Sequence, residues 1–169
     1  CALYALSSNK IKADQEIRII ADKIEVNETD QVVNASGNVI AISENGTKIK
    51  SDRIIYSEIN SKIDAEGNIV LNDTDGNTFF FDTLTTNSQA SNLQGVSVRG
   101  RLDDNSRIVG ESLVKKEDLT TLTEAEFTPC LEQNYLIKEC PGWKLKANKI
   151  YQDNTSKTIH YDHATIHLF

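Results

Sequence analysis

Nowhere in the 169 residues is there an uninterrupted run of about 18 apolar side chains, so nothing here spans a membrane as a helix. Basic residues are also short in supply. Against 25 Asp and Glu stand 18 Lys and Arg, a net charge of −7. Such a chain lacks the cationic footprint that a phosphate backbone demands, which argues against nucleic acid as a partner. It also argues against gripping an anionic lipid chiefly by its phosphates. There is no G-x-S-x-G, no Cys–His pair in a recognisable frame and no glycine-rich phosphate loop. The carboxylate pairs Asp103-Asp104 and Asp73/Asp75 lie in turn-like runs, where Asp is favoured for backbone reasons. No catalytic residue and no cofactor are expected.

Methionine is absent and only two prolines occur, whereas Ile, Val, Thr, Asn and Asp are plentiful. That mixture is strand and turn chemistry. A composition of 38% hydrophobic and 25% charged residues is that of an ordinary globular chain, and 169 residues suffice for one domain with a core. The three cysteines, Cys1, Cys130 and Cys140, cannot all pair within the chain, so at least one is free or bonded elsewhere. The three histidines fall in "HYDHATIH". On one continuous strand His163 and His167 would share a face roughly 13 Å apart, with His160 on the other face. That is no chelating geometry, and no metal site is expected. The opening "CALYALSSN" reads as a disordered leader or as the tail of a signal peptide's hydrophobic region; a lipid-modified Cys1 is a third reading. Residues 1–16 are accordingly expected to form a flexible segment, and 17–169 the domain.

What the chain does have is an echo. "ADKIEVNETDQVVNASGNVIA", from Ala21, is matched without a gap by "SDRIIYSEINSKIDAEGNIVL", from Ser51, 30 residues on. Asp22 matches Asp52, Ile24 matches Ile54, and Gly37-Asn38 matches Gly67-Asn68. A weaker third copy begins with Asp82 and Leu84, and a fourth with "ANKIYQDNTSKTIHY" at Ala147. Within each copy the apolar period is two, the period of a strand: Ile24 and Val26 share a face, as do Ile54 and Tyr56. "NETD", "SEINS" and "QDNTS" supply turns, and the Gly-Asn pairs are expected to open the returning run, at a tight turn or bulge. A strand–turn–strand unit cannot bury its own apolar face, whereas stacked units can. The sequence therefore predicts an all-β chain, antiparallel and stacked into an elongated roll.

At these residues the chain resembles a family. "ADKIEV…ASGNV" and "SDRIIY…AEGNIVL" look like the repeats of the OstA-like domains shared by the lipopolysaccharide transport proteins LptA and LptD, over roughly residues 17 to 110. "AEFTPC", followed by "GWKLKANKIYQDNTSKTIHYDHATIHLF", is similar to the segment that joins LptD's periplasmic domain to its outer-membrane barrel. The resemblance implies an open β-jellyroll (β-taco) on the periplasmic side of the outer membrane, with residues 127–169 leading toward a barrel. It implies lipopolysaccharide as ligand, an LptA-like periplasmic protein as donor and an LptE-like lipoprotein as a partner of the barrel. It also implies that Cys130 bonds outside this segment, while a Cys130–Cys140 bridge would close easily across ten residues.

Under this resemblance the apolar inner face becomes a path for acyl chains, lined by Ile24, Val26, Val33, Val39, Ile54, Tyr56, Ile63, Ile69, Leu71 and Leu84. An acyl chain of roughly a dozen CH₂ groups could gain up to about 10 kcal/mol there, at about 0.8 each. Ile17, Arg18, Ile19 and Ile20 are expected to form the strand edge that accepts the incoming jellyroll. Read without the resemblance, the same inner positions are plain core. The alternatives are an LptA-like bridge, a structural or adhesive β-solenoid with a packed interior, and a polysaccharide-cleaving β-solenoid.

Overall fold

The computed structural model describes residues 17–129 and 142–168. Cys1, Cys130 and Cys140, and the leader at 1–16, lie outside the described residues. Among the described residues twelve strands form one sheet: β1 (Ile17–Ile20), β2 (Lys23–Asn27), β3 (Val32–Ser43), β4 (Lys48–Ser57), β5 (Lys62–Asn72), β6 (Thr78–Asn87), β7 (Asn92–Arg101), β8 (Arg107–Lys116), β9 (Leu119–Thr128), β10 (Trp143–Asp153), β11 (Thr158–Asp162) and β12 (Thr165–Leu168). Each of β3 to β10 pairs antiparallel with its neighbour in sequence. β1 and β2 lie end to end along β3, and β11 and β12 lie end to end along β10. The sheet is all-β, antiparallel and open, and its two edges are these broken strands.

Residues directly opposite each other in a sheet share a face, so the register reads out the core. One row runs Ile24, Ala35, Ile54, Ala65, Leu84, Gly95, Leu113, Leu122, Ile150. A second, toward the other strand ends, runs Ile19, Ala41, Ile49, Leu71, Phe79, Gly100, Ile108, Phe127, Leu145. Small residues on β3 and β7 alternate with large ones on β4, β6 and β8. The reason is steric: a Cβ at Gly95 would overlap the Phe81 ring, and one at Gly100 would sit 2.9 Å from the Phe79 ring. Both rows can be buried only if the two halves of the sheet face one another.

A line of backbone irregularities folds the sheet that way. Gly37 and Gly67 have φ of +78° and +74°, and Asn38, Asn68, Ser97 and Glu124 are also left-handed, one level on each of β3, β5, β7 and β9. In β3 and β5 an extra residue makes a β-bulge, which bends a strand and sharpens its twist. Each bulge is braced by the carboxylate of the repeat. Asn38 Nδ2 donates to Asp22 Oδ2 at 2.8 Å, and Asn68 Nδ2 to Asp52 Oδ2 at 2.8 Å. The Gly-Asn pairs therefore sit in mid-strand and do not open the returning run. The runs begin earlier, at Val32 and Lys62, directly after the turns.

The turns stack as the repeat does. Glu58 N–H donates to the carbonyl of Gln31, Ser88 to Ser61, Glu117 to Ser91 and Asn154 to Asp118, at 2.9 to 3.0 Å. The Asn side chains of the turns serve the backbone: Asn27 Oδ1 accepts from the N–H of Thr29 and of Asp30, and Asn87 Oδ1 from Ser91 and Asn92. "HYDHATIH" is not one continuous strand. His163 has φ of 51°, the break falls there, and its Nδ1 lies 2.8 Å from Asp162 Oδ1 on the exposed edge. The single-strand spacing read from the sequence therefore does not apply. No group of metal-ligating side chains forms among the described residues.

On the outer face Lys146 and Lys144 both reach Glu126, at 3.0 and 3.2 Å. Their hydrogen bonds outweigh partial burial and hold its carboxyl below the ordinary value. A depressed folded-state pKa contributes stability above the unfolded-state value and loses it as pH falls through the folded one. The difference in urea midpoint between the wild type and Glu126→Gln should therefore be largest at neutral pH and shrink as pH falls below the ordinary glutamate range; an undiminished difference would mean the ion pairs contribute nothing. The bend line gives a larger effect. A Cβ on Gly67 would overlap the Asp52 carboxylate and also adopt a left-handed φ, whereas Gly46 (φ +92°) has only Thr74 Cγ2 near, at 3.8 Å. Gly67→Ala should lower the unfolding free energy by about 2–4 kcal/mol and Gly46→Ala by about 1 kcal/mol in urea titrations.

Candidate functional site: the inside of the folded sheet

The candidate lining residues divide by position along the roll. Ile54, Val39, Ile63, Ile69, Leu84 and Leu71 are buried to 4% exposure or less. Val33 and Tyr56 are half-buried. Ile24 and Val26 are 46% and 61% exposed. They continue the inner rows, opposite Ala35 and Val33, but β2 is the terminal strand and nothing packs over it. They lie on the outermost strand, outside the packed interior. Ile17 and Ile19 pack against the core, and Arg18 and Ile20 face out. All four belong to β1, which pairs only with β3, so its other backbone side is unpaired within the described sheet.

The interior changes character midway. Asn45, in the turn between β3 and β4, donates from Nδ2 to the carbonyl of Gln89, in the turn between β6 and β7, at 2.8 Å. These turns lie at opposite ends of their strands, so this bond latches the two halves of the sheet together. Asn45 is held for the task. Its Oδ1 accepts from the Thr47 N–H at 2.9 Å and from the Ser43 hydroxyl. Beneath the latch Ser43, Thr47 and Ser88 are buried, and the space between Ile17, Ile49, Ile63 and Ala90 is about 10 Å³. One water takes at least ~10–15 Å³, so this space holds no more than about one water.

Beyond the latch the halves part. A cavity of about 240 Å³ has a floor of Leu71, Phe79, Phe81, Leu93 and Leu113 and a mouth of Asn45, Thr74, Asp75, Asn77, Lys115, Gln152 and Asn154. In the same measure it has room for on the order of 20 waters. Its floor is apolar and its rim polar, a form suited to an amphiphile. Asp73, also at the mouth, is committed to its own turn: its carboxylate accepts from the N–H of Asp75 and Asn77 and from Asn77 Nδ2 at 2.8 to 3.0 Å. Phe79, Phe81, Leu93 and Leu113 were not among the lining residues read from the sequence. All four lie beyond Leu71, where the gap-free match of the first two copies ends.

No protein-family model matches the chain, and no curated protein sequence matches it. Among solved structures, LptH of Pseudomonas aeruginosa superposes with a TM-score of 0.51 at 13% identity, over 74% of this chain and 89% of LptH. LptH is described as the LptA-homologous periplasmic component of the lipopolysaccharide transport device. The fold is the LptA-like β-jellyroll. At this identity the likeness is one of fold.

The latch makes a testable element of the jellyroll. Asn45→Asp keeps the Oδ1 that organises the turn and replaces only the donor facing Gln89. It should cost about 1–2 kcal/mol and speed amide hydrogen exchange in β4 and β6 near the latch. Unchanged exchange at Thr47 and Ser88 would mean that core packing, not the latch, holds this half shut.

Proposed function

We propose that this chain carries the acyl chains of lipopolysaccharide along the inside of the folded sheet, as the periplasmic OstA-like domain of an LptD-type assembly protein. The observation that carries this reading is the half-open interior: an apolar floor continuous with two buried apolar rows, opening through a polar mouth. The LptA-like fold supports it, since LptH serves a lipopolysaccharide transport device. Burial of acyl methylenes at about 0.8 kcal/mol each supplies affinity without a deep basic pocket, which suits a chain of net charge −7. In the closed half, acyl chains take the place of side-chain contacts. Ile54, Ile63 and Ile69 pack against the facing half until the halves part, and then line the path.

In this reading Ile17, Arg18, Ile19 and Ile20 accept an LptA-like donor by strand addition, since β1 offers an unpaired backbone edge. An LptE-like lipoprotein joins through the barrel, on the periplasmic side of the outer membrane. No catalytic step is assigned. A second reading, an LptA-like bridge, is favoured by the match to 89% of LptH's length and by the second unpaired edge at β11 and β12. A bridge uses both edges; a domain feeding a barrel uses one.

Adjacent phenylalanines test the path. Phe79 lines the cavity and Phe80 faces out, 40% exposed. A photo-crosslinking residue at position 79 in Gram-negative cells should capture lipopolysaccharide at least about tenfold more than one at position 80, because strand parity puts them on opposite faces. Equal capture at both, or none at 79, would leave the interior as plain core.

A further inference from the structure

The inner row nearest the second set of turns changes its chemistry where the roll opens. It runs Val26, Val33, Tyr56, Ile63, Thr86, Leu93, then Lys115, Thr120 and Gln152. Val33, Tyr56, Ile63 and Thr86 precede the cavity, and Leu93, Lys115, Thr120 and Gln152 line it. Lys115 is the sole cation lining that cavity among the described residues. It has no hydrogen bond or ion pair there, unlike Lys62, Lys144 and Lys146, which are paired to carboxylates on the outer face. A lysine on the inner face of a β-roll is costly unless its charge meets water or a counter-ion. The two carboxylates at the mouth do not supply that counter-ion. Asp73 is spent on its own turn, and Asp75 stands on an exposed turn with no ion pair.

We propose that the mouth is the lateral portal for a phosphorylated glycolipid, whose chains lie on the Phe79–Leu93–Leu113 floor and whose phosphate is held by Lys115. The remaining rim suits the sugar: the Asp75 carboxylate and Gln152 Oε1 offer acceptors and Asn154 Nδ2 an amide donor, while Asn77 is held by Asp73 and Asp103 and the Gln152 amide by Asn154 Oδ1. The site rests on the transport reading and sharpens it. Most of the affinity is apolar burial, and one positioned ammonium sets which end of the amphiphile stays at the surface. An overall charge of −7 and a phosphate site are compatible, because only the local group touches the head.

The next residue provides the control. Lys116 has the same charge, lies on the opposite face and has no ion pair among the described residues. Purified wild type, Lys115→Glu and Lys116→Glu, checked for folding by circular dichroism, are titrated with lipid A and with enzymatically dephosphorylated lipid A. Inorganic phosphate is the competitor. Lys115→Glu should weaken binding of lipid A by about tenfold or more, and Lys116→Glu by less than about twofold. Lys115→Glu should leave the dephosphorylated lipid within about twofold, and phosphate alone at about 10 mM should not displace lipid A. Equal effects of the two substitutions, or equal losses for both lipids, overturn the portal and leave the transport reading intact. Displacement by free phosphate would make Lys115 a simple anion site and also overturn it. Failure of the wild type to bind either lipid would sink the transport reading itself.

Discussion

Everything inside this molecule depends on the bend across its sheet. A flat sheet of ten- to twelve-residue strands would have one apolar face and no partner for it, an unstable and adhesive object. Placing a left-handed residue at the same level of β3, β5, β7 and β9 folds the sheet on itself, so that each half covers the other. In the first two copies the bend is built from three residues that recur at 30-residue spacing: Gly at the bulge, Asn after it, and an Asp 16 residues before the Asn that accepts its amide. The bracing matters because a left-handed Asn is costly unless its surroundings hold it there.

The bend also explains why the interior is closed at one end and open at the other. Where the turns of the two rims meet, Asn45 and Gln89 close the roll and the core beneath is tightly packed. Where they do not meet, the same inner rows become the floor of a cavity with a wet mouth. On the proposed transport reading, Ile54, Ile63 and Ile69, which pack the closed half, are the residues a guest would touch once the facing halves part.

How much of this was written in the sequence follows the quality of the repeat. Copies one and two match without a gap, so their period of two, their turns and the all-β architecture could be read directly. The Gly-Asn pairs signalled special backbone, but their place in mid-strand could not be inferred, because a bulge and a turn ask for the same residues. In later copies Ser97 and Glu124 make the bend without glycine; Phe79 and Leu93 stand 30 residues after Ile49 and Ile63 and were legible in the repeat, whereas Leu113 stands 30 after Thr83 and carried no such signal. The exposure of Ile24 and Val26 is a matter of position at an edge, which strand parity alone does not report. Asn45 and Gln89 are 44 residues apart and meet only through the fold; no local pattern announces such a pair.

The most direct measurement of the central claim is solution NMR of the methyl-labelled protein with bound lipopolysaccharide or lipid A. The account predicts intermolecular NOEs from acyl methylenes to the methyl groups of Leu71, Leu93 and Leu113, with none to Val70 or Val109 on the outer face. NOEs to the outer methyls alone, or a saturated complex with no contact to the inner ones, would contradict it and leave the folded sheet with a core and no passage.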